Sequence, residues 1–80
     1  MRLPRDTSGA DLAKALKAFG YQVSRQTGSH LRLTTEKSGE HHITIPNHDP
    51  LRVGTLASIL DSVAEHFGLS RDAVLRKIRS

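Results

Sequence analysis

Histidines are the residues of this chain best suited to chemistry, and one of the five stands in a distinctive setting. His30 follows Thr27-Gly28-Ser29, a run of turn-forming residues between two strand-like segments. An imidazole can gain or lose a proton near neutral pH and can therefore act as a general base or acid. In RNA it could remove the proton of a 2′-hydroxyl, whose oxygen would then attack the adjacent phosphorus. The spacing leaves open a second interpretation, a surface histidine that caps its own turn.

A phosphate group needs positive charge beside such a base, and the neighbouring segments provide it. Arg32 shares the outward face with His30 if the strand alternates, and Arg25 lies near the rim of that face. Gly28 and Ser29 form a turn whose amides can face an anion. We expect Ser29 to fix this turn rather than act as a nucleophile, because no Asp-oriented base is evident nearby. The outward face is predicted to attract phosphate and to contain no carboxylate. Its predicted residues are Gln22, Ser24, Gln26, His30, Arg32, Thr34, His42 and Thr44.

The other four histidines have simpler interpretations. His41 and His42 are adjacent on a predicted strand, so they point to opposite faces and cannot bind one metal together. His41 is predicted to be a partly buried sheet residue, whereas His42 could meet His30 if the strand register allows it. His48 lies in a proline-bounded loop, where we expect hydrogen bonds to nearby backbone. His66 is predicted to complement a helix dipole. Without cysteine or paired carboxylates, neither a metal site nor a cofactor is predicted.

Helical spacing of apolar residues predicts two helices that enclose the strands in sequence. The first is predicted over residues 9–19, with Ser8 as a weak N-terminal cap and Gly20 as a left-handed stop. The second carries an apolar stripe between Thr55, its predicted N-cap, and Gly68, its stop.

Three stretches in which apolar and polar residues alternate predict strands with one face in water. In the first, Tyr21 and Val23 are expected to point toward the core. The second begins at His30, and a hairpin turn at residues 36–39 leads to the third, which Pro46 ends.

The 80 residues are predicted to form a single domain over 1–80. Residues 1–7 form a loose lead-in, and residues 69–80 add a C-terminal helix that Ser70 caps. The order α-β-β-β-α plus this helix predicts an α+β fold, with a three-stranded antiparallel sheet and the helices on one face.

Charge and composition restrict the class of protein. Twelve Lys and Arg against eight Asp and Glu leave a net charge of +4, which favours a polyanionic partner such as nucleic acid. The aromatic content of 4% provides no stacking platform for single strands. The absence of cysteine fits a reducing cytoplasm. Because no stretch is typical of a signal peptide or a membrane span, we expect a cytoplasmic protein with no membrane contact.

Three motifs occur in an order and at spacings typical of one known family. They lie in the runs Thr27-Gly28-Ser29-His30-Leu31-Arg32-Leu33, Ile43-Thr44-Ile45-Pro46-Asn47-His48 and Val53-Gly54-Thr55-Leu56-Ala57-Ser58-Ile59-Leu60. The motifs are a Gly-Ser-His before a strand, a Pro-x-His after the next strand, and a Gly-Thr-Leu that opens the second helix. Over roughly residues 8–69, the chain resembles the HicA (YcfA-like) toxins of HicAB toxin–antitoxin systems.

The resemblance implies a small fold like that of double-stranded-RNA-binding domains. It implies an mRNA-cleaving endoribonuclease, independent of metal, that inhibits translation and growth. A HicB-type antitoxin would neutralise it, and higher oligomers would form only through that antitoxin. The family's catalytic histidine carries over onto His30, and no equal role carries over onto His48. The residues expected to contact RNA are Arg25, Gly28, Ser29, Arg32, His42 and His48.

Residues 69–80 extend beyond the usual end of the family and carry several basic side chains. The extension could be a third packing helix, an antitoxin contact or a source of further RNA affinity.

Two other functions fit the same sequence. A non-catalytic double-stranded-RNA-binding module would bind RNA with a steep salt dependence and would change little without the His30 imidazole. A pure protein-interaction domain would bind one neighbouring gene product tightly and would have no RNA affinity.

Overall fold

The computed structural model describes residues 6–79, so most of the predicted lead-in over residues 1–7 lies outside the described residues. Helices and strands follow in the predicted order, which confirms the α+β fold with an added C-terminal helix. The bounds are α1 Gly9–Ala15, a 3-10 turn Leu16–Phe19, β1 Gln22–Gln26, β2 His30–Thr35, β3 His41–Pro46, α2 Val53–Phe67 and α3 Arg71–Arg79.

The strands form one antiparallel sheet in the order β1-β2-β3, and the helices cover one of its faces. Alternate residues of β2 and β3 are buried against the helices, which leaves the opposite face of these strands in water. The buried hydrophobic side chains form one cluster that draws on every helix. Its members are Leu12, Ala13, Leu16, Phe19, Tyr21, Leu31, Leu33, Ile43, Ile45, Leu51, Leu56, Ile59, Leu60, Val63, Ala64, Val74 and Leu75.

The first helix has the predicted ends. Ser8 Oγ accepts a hydrogen bond from Asp11 N at 3.0 Å, which satisfies one of the free amides at the helix start. Gly20 ends the segment with φ of 83°, a left-handed conformation that glycine adopts without a steric penalty. The last turn, Leu16–Phe19, is a 3-10 turn, which is common at helix C-termini.

The predicted N-cap of α2 is wrong. The helix begins at Val53, with Arg52 as the N-cap residue, so Thr55 already lies in the first turn. Leu51 is buried, and its N–H donates to Thr7 O at 2.8 Å. Because this contact anchors the chain just before the helix, the backbone turns into α2 earlier than the cap signal indicates.

The first strand departs from the predicted alternation at a β-bulge. Val23 pairs with Leu33, but the next pair is Arg25 with Arg32, so Ser24 is an extra residue. The bulge reverses the alternation, which places Gln26 opposite the inward-facing Leu31 rather than on the outward face. Val23 shares the inward side with Leu33 but is 47% exposed, because β1 is an edge strand that the helices cover only in part.

The C-terminal helix α3 is part of the packed structure. Val74 and Leu75 are fully buried in the core. Arg71 forms two hydrogen bonds to Asp61 of α2, at 2.7 and 2.6 Å, and Ser70 Oγ accepts from Ala73 N as predicted. Of the three roles considered for this extension, the structure therefore demonstrates that of a packing helix.

Candidate functional site

His30 is the first residue of β2, and its side chain is exposed. The turn before it closes through the hydrogen bond from Thr27 N to His30 O, at 3.0 Å. Ser29 Oγ lies 3.0 Å from His30 Nδ1, so the two side chains form a hydrogen bond whose direction depends on the tautomer. The turn thus holds one nitrogen of the imidazole and leaves Nε2 for another partner.

The 46–48 loop lies directly beside this turn. Pro46 pairs with His30 across the sheet, and Asn47 N donates to Ser29 O at 2.9 Å. The carbonyl of His48 accepts from Gly9 N at 2.8 Å, and its side chain is exposed. A Cβ at Gly9 would overlap the Pro46 carbonyl, so glycine permits the close approach of α1. The structure therefore brings the Gly-Ser-His and Pro-x-His motifs together.

Gly28 has no such packing requirement. A Cβ at this position would meet nothing within 4 Å, so the protein itself leaves open space next to the His30 turn. The absence of a side chain allows a ligand to approach the backbone closely.

Two arginines face each other on the outward side of the sheet. The bulge places Arg25 directly opposite Arg32, whereas the sequence indicated only a position near the rim. Both side chains are exposed, and within residues 6–79 neither guanidinium forms a salt bridge. Like charges opposite each other in a sheet repel, so an anion between them would be stabilising. Arg32 lies two residues from His30 on the same face, about 6.6 Å along the strand.

His42 is too far from His30 for the two side chains to meet. The register pairs His42 with Thr34 and His30 with Pro46, which separates the histidines by four residues, roughly 13 Å along β2. His42 Nδ1 lies 2.8 Å from Thr34 Oγ1, and its Nε2 lies 3.4 Å from a carboxylate oxygen of Glu40. The expectation of a face without carboxylates is therefore wrong at this end, because Glu40 just precedes β3 and was not counted with the strand.

His41 lies on the opposite side of β3 from His42, as the alternation predicts, and it is partly buried. Its Nδ1 lies 2.7 Å from the hydroxyl of Tyr21, and its Nε2 lies 3.5 Å from Ser62 Oγ. Burial raises the pKa of Tyr21 to about 12, so the phenol keeps its proton at neutral pH. The imidazole of His66 stacks on that of His41 with ring centroids 4.4 Å apart.

His66 has a structural role that its position near a helix end did not predict. Rather than only complementing a helix dipole, its Nε2 donates to the carbonyls of Lys37 and Gly39, at 2.9 and 3.0 Å. These bonds attach the β2–β3 hairpin turn to the end of α2. No local pattern could have revealed them, since the partners lie 27 and 29 residues away.

The environment of His41 predicts acid sensitivity. Burial lowers the pKa of His41 from 6.5, and the charges of His66 and His42 lower it further. Below pH 6.5 the unfolded state binds a proton more readily than the folded state, so stability falls with decreasing pH. The slope from this one group is at most about 1.4 kcal/mol per pH unit. We expect urea unfolding between pH 7.5 and 5 to show this loss in the wild type.

Two variants separate His41 from the other histidines. In His41→Gln the loss of stability toward pH 5 should be smaller, whereas the exposed control His48→Gln should retain the wild-type slope. Equal slopes in the wild type and His41→Gln would contradict the assignment.

Neither a metal-holding cluster nor a membrane-crossing helix is found in the part of the chain that the structure describes. Within it, no three His, Cys, Asp or Glu side chains are grouped in a way that could hold a metal ion. None of its helices combines the length and the apolar character that crossing a membrane requires.

Comparison with known proteins gives one positive result. The family model described as the HicA toxin of bacterial toxin-antitoxin matches residues 9–67, which run from the start of α1 to the end of α2. The fold and this match define a toxin of the bacterial toxin–antitoxin class. The chain belongs to the HicA toxin family, as its motifs predicted. No curated protein and no solved structure matches the chain significantly. The matched region includes His30 and both arginines of the outward face, and α3 lies outside it.

Proposed function

We propose that this toxin is an endoribonuclease that cleaves mRNA, with His30 as its general base. The observation that carries the proposal is the position of an exposed imidazole, hydrogen-bonded through Nδ1, on the same face as two opposed arginines. General bases must reach the proton they remove, and a phosphate held by the arginines would place a ribose within reach of the ring.

Ser29 supports this role by holding Nδ1 of the imidazole in a hydrogen bond, which leaves Nε2 directed away from the turn. If Nδ1 carries the proton and donates it to Ser29 Oγ, the lone pair of Nε2 is free to accept a proton. Ser29 is thus a positioning residue, because it acts through the imidazole. The nearby 46–48 loop restrains the turn through the bond from Asn47 N to Ser29 O.

The reaction is an intramolecular transfer within the RNA. His30 Nε2 accepts the proton of the 2′-hydroxyl while the 2′ oxygen bonds to the adjacent phosphorus and the bond from phosphorus to the 5′ oxygen breaks. The departing 5′ oxygen takes a proton from solvent, and His30 later releases the proton it gained. The products are a 2′,3′-cyclic phosphate and a 5′-hydroxyl. Arg25 and Arg32 would stabilise the negative charge that develops on the phosphoryl oxygens.

The biological setting follows from family membership. Toxins of this class are paired with antitoxins, and we propose a HicB-type protein encoded beside this one as the partner, with higher assembly through it. We also propose that residues 1–80 act as one cytoplasmic domain. Expression of the toxin alone should arrest growth, and co-expression of the neighbouring reading frame should restore it.

The 2′-hydroxyl provides the sharpest test of the chemistry. The protein should cleave an RNA oligonucleotide in the presence of a chelator, leave the matching DNA intact, and fail at a cleavage site that carries one 2′-deoxyribose. Mass spectrometry should find cyclic phosphate ends. Cleavage at the 2′-deoxy site would exclude this mechanism, and binding without cleavage would favour the non-catalytic RNA-binding module.

A further inference from the structure

Four polar side chains form a continuous row across the outward face, at the end of the sheet away from His30. Ser24 Oγ lies 2.9 Å from Thr34 Oγ1, Thr34 Oγ1 lies 2.8 Å from His42 Nδ1, and His42 Nε2 lies 3.4 Å from Glu40 Oε2. We call these four residues the polar row. Each strand of the sheet contributes one member, and Glu40 directly precedes the third strand. The row is therefore a surface that only the assembled sheet creates.

The proton positions in the row follow from counting donors. Ser24 Oγ donates to Arg32 O at 3.2 Å, and a serine hydroxyl has a single proton. Ser24 must then accept the hydroxyl proton of Thr34, and Thr34 in turn accepts from Nδ1 of His42. The imidazole of His42 is thus oriented through three linked hydrogen bonds, which is more order than an isolated surface histidine needs.

The β-bulge links this row to the phosphate-attracting arginines. Ser24 is the extra residue that the bulge inserts, and the same insertion turns Arg25 onto the outward face. Bulges often re-aim side chains next to functional sites. Along β2, Arg32 is about 6.6 Å from His30, and Thr34 is a further step of about 6.6 Å away. This regular spacing is comparable to that of successive nucleotides in an extended RNA strand.

The arginine pair and the polar row differ in charge. The arginine pair suits a phosphate, whereas the polar row ends on the Glu40 carboxylate, which would repel one. Hydroxyl and carboxylate oxygens that point from a protein surface are suited to accept hydrogen bonds from the amino groups of bases. A neutral group with hydrogen-bond donors, such as the edge of a nucleobase, therefore fits the polar row better than the phosphate backbone of RNA does.

From this geometry we propose that the polar row is a base-binding subsite of the toxin. The RNA strand runs along β2, with the cleaved phosphate between His30 and the arginine pair and a base within two nucleotides of it on the polar row. This inference rests on the proposed function and deepens it, because it states how the same face selects the sequence that is cut.

The test combines removal of a base with removal of a side chain. Each base of the oligonucleotide is replaced in turn by an abasic ribose, and binding is measured with a 2′-deoxyribose at any position where the protein cuts, so that the RNA stays intact. For the wild type we expect one position, within two nucleotides of the bond, where base loss weakens binding about tenfold. In Thr34→Val, the intact oligonucleotide should bind about tenfold more weakly, and base loss at that position should cost nothing further.

Thr44→Val is the matched control, since Thr44 is exposed on the same face but lies outside the polar row. This control should keep the wild-type sensitivity to base loss. Equal sensitivity in Thr34→Val and the wild type would overturn the subsite, as would an effect that follows the ribose rather than the base. Because binding is the readout, the coupling persists if the protein binds RNA without cutting it, and that result would contradict only the proposed cleavage.

Discussion

Substitution of His30 by alanine is expected to reduce RNA cleavage about 10²- to 10⁴-fold, the usual contribution of a general base. The imidazole is the only part of the residue that the proposed reaction uses. The backbone of His30 closes the turn through its carbonyl and is unchanged in the variant. Since the side chain is exposed, the free energy of unfolding should change by no more than about 0.5 kcal/mol.

The measurement is the single-turnover cleavage rate of one purified RNA by the wild type and His30→Ala, with circular dichroism and thermal unfolding to establish that both fold. His48→Ala is the matched control, because His48 is exposed in the adjacent loop and is not the proposed base. We expect a much smaller loss in this control. A His30→Ala protein that cleaves at the wild-type rate would remove His30 from the mechanism.

The loss of RNA cleavage in His30→Ala should also abolish the effect of the protein on cell growth. The variant should no longer arrest growth, although it should still bind the antitoxin if that contact does not depend on the imidazole. A variant that arrests growth as strongly as the wild type would show that toxicity has another origin.

Truncation of Leu75 to alanine is expected to lower the free energy of unfolding by about 2 to 5 kcal/mol. Leu75 lies on α3, is fully buried, and belongs to the same cluster as residues of α1 and α2. Removal of its side chain would lose buried apolar area and leave a cavity. A domain of this size is stable by only about 4 to 12 kcal/mol, so the effect would be a large share of the total.

Leu69→Ala provides the comparison, since the same atoms are removed from a side chain that is 42% exposed. Because the side chain is only partly buried, urea unfolding should show a change of about 1 kcal/mol or less for this variant. Similar small effects in both variants would mean that α3 contributes little to the free energy of unfolding. The packing of α3 on the rest of the domain would then not be required for its stability.

Sequence signals confined to a few neighbouring residues were sufficient to predict much of the architecture. Gly20 and Gly68 end their helices in the left-handed conformation, and Ser8 and Ser70 accept the amide bonds predicted for caps. These features depend on local backbone geometry, which the residue type largely determines. The Gly-Ser-His motif likewise located the turn that presents His30, although the catalytic role of His30 stays a prediction.

Contacts between distant segments decided what the sequence could not. The bulge at Ser24 reversed the outer part of β1, which moved Arg25 opposite Arg32 and turned Gln26 away from the outward face. A single inserted residue is invisible to a period of two, because either phase of the alternation is compatible with the same edge strand.

The register of the sheet is likewise set by contacts between segments and not by a local sequence pattern. The sequence by itself determined the α+β order, the glycine stops of the first two helices and the family motifs, because each depends on residues close together in the chain. Only the tertiary structure decided that His42 belongs with Thr34 rather than His30, and that His66 holds the hairpin turn. The first outcome depends on the register of two strands joined by a hairpin, with partners 8 residues apart, and the second on contacts 27 and 29 residues apart. In both cases the energy of packing is shared among partners that no local pattern specifies.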